Sequence, residues 1–221
     1  MSVGERKGNL YIEDFNLFSN DKNQWTPFAE YIVPPSEWFV FRGDKPLNLF
    51  VPAKHTITHG GTGDETFTVD ARIVDSAALT DDQTIYVSKG SLVSVNYDEN
   101  KVTINHDTGE DIDVYYLFGN GKLQVKYVPP FAQGSLKKNL MEKSFLSIHA
   151  VNQFDNKSQI FLNKSGLVPE KHKIQLWANA PVDIEFPPNF EIGGIVLPYK
   201  ARPNSEIPEG TEQEIINSLT N

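Results

Sequence analysis

Cysteine is missing altogether from the 221 residues. That excludes disulfides, zinc–thiolate centres and thiol nucleophiles. It does not fix a compartment, because a chain of this length can bury a sufficient core without staples. Basic residues are also scarce: 20 Lys and Arg stand against 29 Asp and Glu, a formal net charge of −9. Phosphate binding requires a clustered basic surface, so nucleic acid is not expected as a ligand. No apolar run approaches the ~18 residues of a membrane span. The opening MSVGERKGNL has no apolar leader segment, so the chain is expected to be made in the cytoplasm and to stay there or leave inside an assembly. No G-x-S-x-G elbow, phosphate-binding loop or dinucleotide fingerprint occurs, and the chain does not read as an enzyme.

What is present is alternation. In NKVTINHDTGEDIDVYYLFGNGKLQVKYVPP (100–130), Val102 and Ile104, then Ile112, Val114 and Tyr116, then Leu123, Val125 and Tyr127 each alternate with polar or outward residues. A period of two predicts three strands with one face buried and one wet, as in an antiparallel sheet. Asp107-Thr108-Gly109 and Asn120-Gly121 between them predict two hairpin turns, the second with positive φ angles. Phe67, Val69, Ala71 and Ile73 predict one further alternating strand, and residues 79–83 a polar turn. Short apolar runs at Tyr31–Val33, Trp38–Phe41 and Leu47–Val51 are stopped by Pro34-Pro35, Gly43-Asp44 and Pro46. Strands recurring every eight to twelve residues predict an all-β antiparallel sandwich or barrel.

Residues 1–8 read as a polar arm, 9–202 as the β body with a sub-boundary near 130 left open, and 203–221 as a C-terminal arm. Ser135 caps one or two helical turns with Leu136 and Leu140 on one side. Thr211 and Glu214 have capping-box spacing ahead of Ile215, Ile216 and Leu219, which predicts a short C-terminal helix with an apolar stripe. So short a helix is marginal alone and needs a surface to sit on.

Each candidate site carries a plain alternative. His55 and His59, near Asp64 and Glu65, have ligand types suited to a metal. Their spacing departs from the cupin pattern, and exposed loop histidines are the plainer reading. Asp107, Glu110 and Asp111 could hold a structural Ca²⁺ without the full alternating ligand series; otherwise no cofactor is expected. The aromatic group Trp25, Trp38, Phe39, Phe41 and Phe50 could stack on sugars, but strand spacing between prolines favours core or an intersubunit contact.

Two stretches carry a resemblance: YIVPPSEWFVF…PLNLFVPA…HGGTGDETFTVDARIVDS and VYYLFGNGKLQVKYVPP…LVPEKHKIQLWANAPVDIEF. Together they resemble β-rich virion structural proteins of archaeal viruses, either capsid decoration proteins or single-jelly-roll capsid proteins. The resemblance implies a jelly-roll-type sandwich, a place in the virion, and partners that are copies of itself and other capsid proteins. It implies no catalytic residues. The residues expected at subunit contacts are Trp25, Trp38, Phe39, Ile215, Ile216 and Leu219. Two other readings stand beside it: a glycan-binding module using Trp25 and Trp177, and a cupin-like metalloprotein centred on His55 and His59.

Overall fold

The computed structural model describes residues 6–41, 46–58, 62–107, 109–128, 159–161, 166–168, 170–203 and 214. Among these residues the elements described in full are sixteen strands, one helix of a single turn and two 3-10 turns. The strands are β1 (Arg6–Leu10), β2 (Asn16–Leu17), β3 (Thr26–Ile32), β4 (Glu37–Phe41), β5 (Pro46–Phe50), β6 (Pro52–Ile57) and β7 (Gly63–Thr68). After α1 (Asp81–Thr84) come β8 (Ile85–Val87), β9 (Ser91–Asn96), β10 (Lys101–His106), β11 (Ile112–Leu117) and β12 (Lys122–Val128). β13 (Gln159–Phe161), β14 (Gly166–Val168), β15 (Lys173–Asn179) and β16 (Gly194–Pro203) complete the set.

All pairings among these strands are antiparallel, as the alternation predicted. They form a sheet in the order β13-β5-β16-β4-β14 with β1 added to β16, a four-stranded sheet β12-β15-β3-β2, and two three-stranded sheets, β7-β10-β9 and β6-β11-β8. Every sheet sends residues to one core, among them Val102 and Ile104, Val114 and Tyr116, Phe28 and Leu176, and Phe39 and Leu197. Strands on both sides of residue 130 share sheets: β15 lies between β12 and β3, and β16 pairs with β1, β4 and β5.

Several expectations are corrected. The strands β10, β11 and β12 were expected to pair as hairpins, but β10 pairs with β7 and β9, β11 with β6 and β8, and β12 with β15. The turns between them are crossings from sheet to sheet. Accordingly neither Asn120 nor Gly121 adopts positive φ; Phe118 instead donates its N–H to Val51 O at 3.2 Å and Gly119 to Arg72 O at 2.9 Å. One wet face was expected for β11, yet Tyr115 and Leu117 are buried too, in a second small cluster with Val74 and Ile192.

The strand expected through Ile73 ends at Thr68. Beyond it backbone donors are claimed from elsewhere: Val69 N–H by Asn100 O, Ala71 N–H by Tyr116 Oη, and Ile73 N–H by Asn100 Oδ1. The polar turn at 79–83 leads into the helical turn α1, where Thr80 and Gln83 form a capping box. The N-terminal arm is shorter than expected, since Arg6–Leu10 is already a sheet strand. The helical turn at 135–140 and the C-terminal stripe lie outside the described residues, except that Glu214 is helical and exposed.

Candidate intersubunit surfaces

Alternation along β4 sorts the predicted aromatic contact group. Trp38 is half-buried and sits in register with Arg202 of β16, while Phe39, opposite Ala201, has no exposed surface. The Phe39 ring stacks on Tyr199 at 4.4 Å and on Tyr31 at 5.5 Å. Phe39 is therefore a core residue and leaves the set expected at subunit contacts. Trp25 is half-buried ahead of β3. Ile215, Ile216 and Leu219 lie outside the described residues.

The sequence reading missed the large apolar side chains that do face solvent: Tyr11, Phe18, Ile32 and Val93. Ile32 could have been found, because it precedes Val33 and Pro34 at the end of an apolar run, where one of two neighbours must face out. Phe18 belongs to an open groove of about 410 Å³ shared with Leu17, Phe186, Pro188 and Phe190. Asn189 and Phe190, at φ 63° and 56°, hold its rim in the left-handed region, which a bulky aromatic rarely adopts.

The polar candidates disperse. His55 stacks flat on Phe67, centroids 5.1 Å apart, in the gap between β6 and β7. His59 lies outside the described residues. Asp64 accepts a 2.5 Å hydrogen bond from Asn105 Nδ2, and Glu65 approaches the buried His106 at 3.6 Å. His106 was not singled out from the sequence, although it continues the inward period of Val102 and Ile104. Asp107, Glu110 and Asp111 are all exposed. The Glu110 carboxylate is engaged by the Lys89 ammonium, whose hydrogen bond and charge hold it below the usual carboxylate range. Among the described residues no group of three or more His, Cys, Asp or Glu side chains converges as a metal site would require.

Other titratable groups are tied into the framework. Lys54 is raised by its 2.6 Å bond to Glu185, against the opposing effect of burial. Tyr97 is raised by burial and by its 2.6 Å bond to Asp81. On the outer side of the four-stranded sheet, Trp177 Nε1 donates to Gln175 at 3.0 Å, Gln175 Nε2 donates to Glu30 at 2.7 Å, and Lys173 closes on Glu30 at 2.9 Å. Trp177 and Trp25 are both half-buried, whereas a sugar platform calls for rings open to solvent. Hydrogen bonding along this ladder fixes side chains in place; it brings no nucleophile to a base.

No family model matches the chain, and no curated protein matches it. Solved structures do. VP17, a capsid protein of bacteriophage P23-77, superposes with a TM-score of 0.66 at 13% identity, covering 91% of this chain and 97% of that one. The complex of VP16 and VP17, the two major capsid proteins of the same phage, gives 0.63 at 14% identity over 90% and 99%. The chain shares the fold of these two structures. It is all-β and jelly-roll-like, and the resemblance to β-rich virion proteins holds at the level of structure. The sequence resemblance pointed to archaeal viruses, whereas these neighbours belong to a bacteriophage. Among the described residues no helix is long and apolar enough to cross a membrane.

Proposed function

We propose that this chain is a structural subunit of a virion shell, acting by association with copies of itself and with a second capsid protein. The observation that carries the reading is the nearly end-to-end correspondence with VP17, 91% of one chain on 97% of the other. A partner protein is part of the proposal because one of the neighbours is a complex of two major capsid proteins. That pairing also favours a shell-building role over decoration. The archaeal host class drawn from the sequence pattern stays within the proposal as a second branch using the same fold.

In this reading the mechanism is assembly. Half-buried Trp25 and Trp38, together with exposed Ile32 and Phe18, lose their remaining exposed surface between subunits. Ile215, Ile216 and Leu219 on the C-terminal segment clamp a neighbour. Structural Ca²⁺ at Asp107, Glu110 and Asp111 is a secondary part of the proposal, and Lys89 would have to release Glu110 for it.

Absolute mass by light scattering, with and without EDTA, tests the reading. Defined oligomers or particles support it, and EDTA-sensitive mass supports the Ca²⁺ site. A 24.9 kDa species at every concentration, alone and with a candidate partner capsid protein, overturns it. Removing 204–221 should leave a folded chain that assembles poorly; unchanged assembly removes the clamp.

A further inference from the structure

The net negative charge of this chain arises in one part of it. Residues 62–113 hold twelve acidic residues against three basic ones, a formal −9 that equals the charge of the whole chain. The other 169 residues are balanced, with seventeen of each sign. Residues 62–113 build the β7-β10-β9 sheet, α1, β8 and the turns around them, which together form an acidic lobe. Lys89 and Lys101 already serve Glu110 and Glu99 there, while Asp98, Asp107 and Asp111 are exposed.

The four-stranded sheet has the opposite character. Ile174, Leu176 and Ala178 of β15 face the core, so the positions of Lys173, Gln175 and Trp177 lie on the outer face. Register sets Lys122 opposite Asn179 and Lys126 opposite Gln175, which places both lysine positions on that same face. The strands of this sheet contain one acid, Glu30, which is buried and held by Lys173 and Gln175. By composition these strands carry three lysines against that one acid, a formal +2, and Lys122 is exposed. The same face carries half-buried Trp177 within β15 and exposed Ile32 at the end of β3, opposite Lys173, so apolar and charged groups share it as they do in protein contacts.

We propose that the outer face of the β12-β15-β3-β2 sheet is the surface on which a second copy of this chain docks its acidic lobe. The inference rests on the capsid-subunit reading above and names the contact. Because the two patches differ, the contact is head to tail, and repetition gives a ring if the rotation closes and a continuing array if it does not. Complementary charge also orients the encounter and rejects lobe-to-lobe approach. Lysines on the edge strand β12 would deter strand addition as well, but that role is indifferent to which acids the lobe carries.

Charge exchange in the full-length chain separates these roles, with self-association measured by sedimentation equilibrium. Lys122→Glu with Lys126→Glu should weaken association about tenfold, since an exposed ion pair alters an equilibrium constant by no more than about fivefold. Asp98→Lys with Asp111→Lys should do the same, and an equimolar mixture of the two variants should recover it. Lys89→Glu with Lys101→Glu places equal extra negative charge on the lobe and should not weaken it. Neutral Lys122→Gln with Lys126→Gln gives a smaller loss and guards against a reversal that fails to fold. Variants that associate like the parent, a mixture that recovers nothing, or a control that weakens equally overturns the docking while the capsid reading stands. A parent that never self-associates overturns the docking, and one that also fails to bind a partner capsid protein overturns both.

Discussion

Replacing Phe39 by alanine distinguishes a core residue from a contact residue. The ring has no exposed surface and is stacked between Tyr31 and Tyr199, carried on β3 and β16. Truncating a buried Phe costs about 3–5 kcal/mol in transfer and cavity terms. The upper part of that range applies here, because both flanking rings are carried on paired strands and cannot collapse into the gap. Each stacked pair lost accounts for about 0.5–1.5 kcal/mol within that figure. For a chain of this size the melting temperature should fall on the order of 10 °C. Urea unfolding followed by tryptophan fluorescence, parent against Phe39→Ala and Phe39→Leu in one oligomeric state, measures it. The leucine variant should recover more than half the loss. A penalty below about 1 kcal/mol accompanied by collapse of assembly would refute the core assignment and return Phe39 to the subunit contact.

Tyr116 supplies a pH test: burial pushes its phenol up to about 12 from 10.0. The folded state holds the proton more tightly, so the associated stability, up to about 3 kcal/mol, is complete below pH 10 and is lost as pH rises to about 12. Phenolate absorbance for this residue should appear only as pH nears 12 or on unfolding, and titration near 10 in the native chain would contradict its burial. Gly193→Ala meets a φ of +80° and would place its Cβ 2.9 Å from Pro52 Cδ. It should destabilise by more than the roughly 1–2 kcal/mol of left-handed backbone alone, whereas Gly63→Ala, with nothing within 4 Å, should show only the backbone cost. Lys89→Ala should return the Glu110 titration, read by NMR, upward toward the ordinary carboxylate range.

The inward periodicity of β10 was legible because polar Thr103 and Asn105 separate Val102, Ile104 and His106 cleanly. Pairing partners were not. Asn-Gly marks a hairpin only if the next strand folds back, and at Asn120-Gly121 the chain crosses to another sheet, a choice made by β15 some fifty residues on. The early stop at Thr68 was equally hidden, since Asn100 and Tyr116 claim the backbone donors beyond it. Of the contact candidates, Phe39 and Trp38 differ only by strand parity, which depends on where β4 begins. The exposed Ile32 and the charge division were both readable from the sequence, the latter by summing charge in windows.

The distribution of strands over sheets has a consequence for synthesis. β1 waits for β16, whose Leu197 lies opposite Leu10, and β16 also pairs with β4 and β5. Until residue 203 has left the ribosome, three early strands hold unpaired edges, and no local hairpin from β10 to β12 can shelter them. Such a chain should fold late and slowly, with edges open to neighbouring nascent copies. Its yield in a crowded, heavily translating cell then depends on what guards those edges during the wait.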